Sequence, residues 1–557
     1  MAGESGAGIL RFCVPRLPIT AIFVGTSKVE RMRDATVSLR AVVFLVVTAM
    51  TALVGAQTPA AQGSQTTAVI PNAPELLKKL DQLVEQNKQL EKQNQQLMSE
   101  IESLRQGLAK EAASSPELKG KETEASAKQT ELAPGVPEET AEARQGEGPV
   151  VASSIGAAPQ RKWGTYTPNQ GFTLASTELG DLSLSIYTYV RYLNQLGLDA
   201  TYTDVSGNVK NVQQRQDFQI QKVQMKFLGW VLDPKLRYFL YAWTSNASQG
   251  LGAQVVLAGN VNYTFNRHFN FAGGITSLPG TRSVEGNFPF WLGVDTRLIA
   301  DEFFRPSYTS GIWARGDIIK HLRYQIMLGN NLSTLGVSAA QLDNGLNTLA
   351  TALVWTPMSG EFGAGFGDFE HHDHAAVRLA AHFTRSNETK QSQPNSDQFE
   401  NTQLRLEDGS VIFTPNLFGD GITITDARYR MSAFDGGLKY RGLSLDGEYF
   451  LRWLDDFKGP GTAGLPTIFS HGFQLQTSAM VVSKTLQAYL GGSTLYGKYG
   501  NPWDFRAGLN FFPFKNKVVR WNNEFLYLYK SPVGYTSVPF ALGGTGPVFH
   551  SNIELAF

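Results

Sequence analysis

Cysteine is all but missing: the 557 residues hold one, Cys13. No intramolecular disulfide is open to the chain, and zinc-finger and paired-thiol redox motifs are excluded. An excess of charge is missing too. The 49 lysines and arginines balance 49 aspartates and glutamates, which removes any general electrostatic case for nucleic-acid binding. Long apolar runs are also absent. The longest, residues 41–54, has 14 residues and falls short of the ~20 that a membrane-spanning helix needs.

What is plentiful is glycine (55) and the aromatics phenylalanine (34) and tyrosine (19), while charged residues are 18% of the chain. Turn formers and strand formers outweigh helix formers. A chain of this length also exceeds one ordinary globular core, so more than one region is expected.

The first region reads as an export signal. Arg31, Arg33 and Arg40 flank the apolar run, and "VGA" closes at Ala56 with the small residues that signal peptidase accepts. Residues 1–56 are therefore expected to be a signal-peptide region, with translation starting at Met32; a membrane anchor is the competing reading. Residues 74–110 read as a coiled coil. One seam holds Leu76, Leu83, Leu90, Leu97 and Leu104, and the other Leu80, Asn87, Asn94, Ile101 and Leu108. Such a stripe needs partner helices. Seam asparagines favour dimers. Residues 111–162 have almost no large apolar side chain and read as a disordered linker.

From residue 163 the pattern becomes period two. In "GDLSLSIYTYVRY", Leu182, Leu184, Ile186 and Val190 alternate with Ser183, Ser185 and Arg191. In "PWDFRAGLNFF", Trp503, Phe505, Leu509 and Phe511 alternate with Asp504, Arg506 and Asn510. The final "FHSNIELAF" sets Phe549, Ile553, Leu555 and Phe557 against His550, Asn552 and Glu554. Strands of about 10 residues exceed the usual five or six of soluble sheets. Tight turns such as "LDPK" and "YRGLS" separate some, and polar stretches at 386–421, 455–470 and 531–546 separate others. Short turns at one end and long loops at the other predict an all-β transmembrane fold: an antiparallel outer-membrane β-barrel of about sixteen strands over 163–557. Trp230, Trp243, Trp453, Trp503 and Trp521 lie near strand ends, where aromatic girdles would sit against lipid. A terminal phenylalanine on an alternating strand is similar to the signature read by the outer-membrane assembly machinery. It implies that the last strand pairs with the first.

Lumen-facing candidates by alternation are Arg191, Lys222, Lys226, Arg323, Arg378, Arg452, Arg506 and Arg520. Positive rings select anions, but Asp446, Glu448, Asp504 and Glu524 share that face and are placed to neutralise them. Residues 278–310 form a connection carrying Arg282, Arg297 and Arg305 beside Glu285, Asp295, Asp301 and Glu302. "EHHDH" at 370–374 reads as a polar turn rather than a metal site, because consecutive strand residues point to opposite faces. "GVSAAQLDNG" reads as a loop or short helix. No G-x-S-x-G elbow occurs, so no enzyme, metal or cofactor is expected.

Three stretches carry a family resemblance: "GFTLASTELGDLSLSIYTYVRYLNQ", "FNFAGGITSLPGTRSVEGNFPFW" followed by "DEFFRPSYTSGIWARGD", and "HAAVRLAAHFTRS". The body, from about residue 171 onward, resembles the phosphate-selective porin O and P family. The resemblance implies a sixteen-stranded homotrimeric barrel in the bacterial outer membrane, with basic residues along the lumen. It also implies a loop folded into the pore, so that Arg282, Arg297 and Arg305 become constriction candidates, and phosphate selectivity. The residues themselves leave three readings open: a general or anion-selective porin, an anchor for a periplasmic coiled coil that contacts the cell wall, and a barrel enzyme.

Overall fold

The computed structural model describes residues 163–557 apart from 168–169, 246–253, 286–287, 335–344, 359–361, 364, 394–403 and 536. The signal-peptide, coiled-coil and linker expectations lie outside the described residues, as does nearly all of "GVSAAQLDNG".

Two short strands come first, β1 (Tyr166–Thr167) and β2 (Gly171–Thr177), followed by the long β3 (Gly180–Asn194). A small hairpin, β4 (Thr201–Thr203) and β5 (Val209–Asn211), decorates the next connection. Then come β6 (Gln216–Val231), β7 (Asp233–Ser245), β8 (Gln254–Asn266), β9 (Phe269–Ser277) and the helix α1 (Ile299–Phe304). The chain continues through β10 (Tyr308–Ile319), β11 (Leu322–Gly329), β12 (Thr348–Trp355), β13 (Ala376–Thr389) and β14 (Asp426–Tyr440). It closes with β15 (Leu443–Lys458), β16 (Ile468–Val482), β17 (Leu486–Gly497), β18 (Trp503–Phe511), β19 (Val519–Tyr529) and β20 (Gly546–Ala556).

Eighteen of these strands share one sheet. With the β1–β2 flap set aside, each of the other sixteen pairs antiparallel with its neighbours in chain order, and β20 pairs with β3 to close the ring. The seam runs from Phe549 opposite Asn194 to Ala556 opposite Tyr187. Phe557 extends it by exchanging two backbone hydrogen bonds with Ile186 (2.7 and 2.9 Å), and its ring packs edge-on against Phe172. The expected sixteen strands and the first-to-last closure are both present. The expected boundaries shift at the start of the 386–421 and 455–470 stretches, where Ser386–Thr389 and Asp455–Lys458 continue their strands.

Ring closure removes every sheet edge, which is how a sheet avoids unpaired backbone groups in an apolar medium. One end of the barrel is made by tight turns. Leu232, His321, Arg441, Lys484 and Lys515 all adopt positive φ there. At Arg441–Gly442 both central residues do (49° and 82°), the geometry that matches a two-residue turn to strand twist. The other end carries the long connections.

The outer face is apolar and exposed: Phe218, Leu257, Phe434, Leu475 and Ile553 each show half or more of their surface. The inner face is polar and buried, from Ser183, Ser185 and Arg191 on β3 to His550, Asn552 and Glu554 on β20. Two tryptophans depart from the expected girdle. Trp230 and Trp243 are buried inside the barrel, while Trp503 and Trp521 do face out.

The interior is filled. Residues 278–285 and 288–307, between β9 and β10, fold into the lumen and carry α1 with all six residues buried. Phe304 stacks on Phe450 of the wall at 5.2 Å, the Tyr429 hydroxyl donates to the Phe304 carbonyl (2.6 Å), and Arg452 lies 4.0 Å above the Phe303 ring. Two of the stretches read as polar loops also contribute apolar side chains to the interior. Leu404, Leu406, Ile412 and Phe413 of one, and Val533, Val538 and Phe540 of another, join this core. Glycine, serine and asparagine serve a tightly folded loop as readily as a solvated one, so composition alone does not tell the two apart.

Candidate functional site

The lumen positions follow from strand parity, and the described structure places all eleven basic candidates on the inside. Arg191, Lys222, Lys226, Arg378, Arg452, Arg506 and Arg520 are buried on the walls, and Arg323 sits at the turn end with about a quarter of its side chain exposed. Arg282, Arg297 and Arg305 of the inner loop are buried among them.

Almost every one of these cations meets a carboxylate. Lys222 reaches Asp295 at 2.7 Å. Glu285 bridges Arg323 and Arg378, both at 2.5 Å, and Arg378 also donates to Asp435 (2.8 Å). Glu302 accepts from Arg297 (2.9 Å) and Arg305 (2.7 Å). Arg520 holds Glu554 through two bonds, 2.6 and 2.8 Å. Arg282 lies 3.7 Å from Asp446, Arg506 lies 3.7 Å from Glu524 and 3.9 Å from Asp504, and Arg452 lies 4.0 Å from Glu407. Arg191 is different: its guanidinium donates to Asn552 and to the carbonyls of Ser537 and Val294.

The loop is thus pinned to opposite walls. Burial pushes the Glu285 carboxyl up, but the Arg378 and Arg323 guanidiniums outweigh that and hold it well below the usual carboxylate range. Asp301 of α1 is raised instead, because burial outweighs the neighbouring Arg297. It accepts from the Ser283 hydroxyl at 2.9 Å.

Sequence reasoning named neither Asp435 nor Glu554 nor Glu407 as partners. Asp435 and Glu554 were findable, since parity on β14 and β20 puts them opposite the exposed Phe434 and Ile553. Glu407 was not, because it lies in a connection with no periodicity. Lys439 was also missed. It is fully buried, with its ammonium 4.6 Å from the Phe362 ring.

One group of ligand-type atoms converges among the described residues: His382, Asp435 and Glu448. Its atoms are already engaged. His382 binds Asp435 (2.8 Å) and the Pro279 carbonyl (2.9 Å), and Glu448 accepts from the Arg282 backbone and from Gln474. The arrangement is an ion-pair network rather than an open metal site. The 370–374 histidines form a turn ahead of β13, in which Asp368 binds His372.

No family model matches the chain, and no curated protein does. The likeness to the phosphate-selective porins therefore rests on the quoted stretches alone. Among solved structures the chain is similar to outer-membrane expressed OmpT of Vibrio cholerae, at 10% identity over 69% of this chain and 100% of that one (TM-score 0.42). It is similar to the outer membrane channel DcaP of Acinetobacter baumannii, at 8% identity over 69% and 99% (TM-score 0.43). Salmonella typhi OmpF in complex with daunomycin matches at 14% identity over 68% and 98% (TM-score 0.38). Likenesses this faint decide nothing about activity, and the ring stands on its own strand pairing.

Proposed function

We propose that the chain is a bacterial outer-membrane channel for passive diffusion of small solutes and ions, acting as a homotrimer. The observation that carries this reading is the closed ring with an apolar exposed outside and a charged inside, the inverse of a soluble barrel's surface. Because nine of the eleven lumen cations meet a carboxylate, some of them sharing one, the reading is a general channel of weak selectivity rather than a phosphate-specific one. The filled lumen adds a condition. Arg191, Arg506, Asn510 and Glu524 are at most 1% exposed, so current requires the inner loop to move.

That filling also favours a second reading, in which the barrel is chiefly an anchor for a periplasmic coiled coil that contacts the cell wall. A hydrolase reading gains nothing from the two fully buried histidines, which bond Asp435 and Glu524 rather than a serine. Reconstitution in planar bilayers separates the first two. A channel gives single-channel steps, and the reversal potential under a salt gradient gives the sign of its selectivity. A folded barrel without current supports the anchor. A peptide covering residues 74–110 tests the arm: sedimentation equilibrium giving a trimer supports shared symmetry with the barrel, and a dimer or a monomer refutes it.

A further inference from the structure

At the turn end of the barrel a cavity of about 380 Å³ opens between the wall, the inner loop and the turns. Its volume lies within the ~300–1,000 Å³ range of small-molecule sites. Four lysines line it: Lys226 from β6, Lys484 from the β16–β17 turn, and Lys515 and Lys517 from the β18–β19 turn. The carboxylate side chain on its wall is that of Glu370, paired with Lys517 at 2.5 Å. Phe557, the last residue, also lines the cavity and adds its terminal carboxylate, so the four lysines still outnumber the two carboxylates on the wall.

Lys226 is the most telling. It is 93% buried, and among the described residues its ammonium has no carboxylate and no hydrogen-bond acceptor, only the Phe288 ring at 5.6 Å. A buried, unpaired ammonium is costly. The remainder of the wall is mixed: Ser185, Asn516, Tyr166 and Tyr187 bring polar atoms, and Phe290 and Phe369 form an aromatic side beside Lys517 (4.6 and 5.3 Å from the two rings).

We infer that this cavity is a binding site for an organic anion with an apolar ring, of the aromatic carboxylate class. The carboxylate neutralises Lys226 and the exposed Lys484 and Lys515, while the ring lies against the phenylalanine wall. Inorganic phosphate answers the lysines and the polar wall but leaves the Phe290 and Phe369 side wet, so charge alone does not fill the site. The site deepens the channel reading, since it lies where a solute crossing the lumen enters or leaves it.

The test is calorimetric titration of the full chain in detergent micelles with benzoate, benzyl alcohol and inorganic phosphate. Benzoate is expected to bind at one saturable site, with the other two at least about tenfold weaker, ~1.4 kcal/mol. Lys484→Ser with Lys515→Ser changes only exposed side chains and is expected to weaken benzoate about tenfold. Phe290→Ala is expected to weaken benzoate and leave phosphate unchanged. Phosphate binding as tightly as benzoate, benzoate binding unaffected by the lysine changes, or no benzoate heat at all each overturns the site. Binding is read without current. A protein that binds benzoate but does not conduct keeps the site and loses the channel; one that conducts without binding benzoate does the reverse.

Discussion

Replacing Glu285 with glutamine tests whether the inner loop is held shut by charge. Glu285 accepts from two guanidiniums at 2.5 Å. The Arg378 contact is buried on both sides, at 4% and 5% exposure, and Arg323 is 27% exposed. Removing one partner of a buried pair costs about 3–5 kcal/mol. The exposed Arg323 contact adds little after solvent screening. Arg378 keeps Asp435, so the low end, about 3 kcal/mol, is the expected loss. At ~1.4 kcal/mol per decade this raises the undocked fraction of the loop roughly a hundredfold. In planar bilayers the variant should show a large rise in open probability over the unaltered protein, with the barrel intact by circular dichroism. The same comparison across pH isolates the carboxylate. A depressed carboxylate contributes stability that is present above its unfolded value near ~4.3 and is lost only as pH falls through the lower folded value. The difference between the two proteins should therefore persist from neutral pH to about pH 4 and vanish only in stronger acid. Unchanged open probability with an unchanged melting temperature would refute the reasoning. A lowered melting temperature with unchanged current would show that the network braces the wall and does not gate.

Three further outcomes follow from the walls. Leu379→Arg places a charge on the exposed face and should destabilise by roughly 2–4 kcal/mol near midplane and hinder insertion. Arg378→Ala, one residue away on the inner face, deprives Glu285 and Asp435 of a partner and should lower the unfolding temperature by a loss of about 3–5 kcal/mol while still inserting, with altered ion preference; heat-modified gel mobility and reversal potential separate the two. Arg520→Ala strands Glu554 in the interior and should cost about 3–5 kcal/mol, read as a lower unfolding temperature. Gly508→Ala would put a methyl group 2.2 Å from the Tyr489 ring, which is 2% exposed and bonded to Glu524. Overpacking of this kind costs about 1–3 kcal/mol, and denaturant melts should show it.

The ring was legible because each strand is long and its two faces differ in polarity, so that period two survives even with blurred boundaries. Trp230 was legible as well, had its parity been followed: it stands on the same alternate positions as Lys222, Gln224 and Lys226, all of them buried. Trp243 was not, because β7 is apolar on both faces, with Leu240 outside and Phe239 and Tyr241 inside. The inner arginines could be placed on the lumen face, but their partners could not be assigned. Arg520 and Glu554 lie 34 residues apart, and Arg378 and Glu285 lie 93 apart. The first pair is set by the register of β19 against β20 across a long connection and the second by loop docking, neither of which leaves a local pattern.

The cross-lumen anchors impose an order in time. The inner loop leaves the wall after β9, yet Arg282 is held by Glu448, 166 residues later, and the carbonyls of Leu292 and Trp291 are held by Asn510 and Arg520, 218 and 229 residues later. Contacts of such long separation form last, because their closure entropy must first be met by the rest of the chain. While the strands assemble, the loop can meet Lys222 and Arg323 but still lacks its partners on the last strands, and the half-built barrel is only partly filled. The last of its anchors are supplied by β18 and β19.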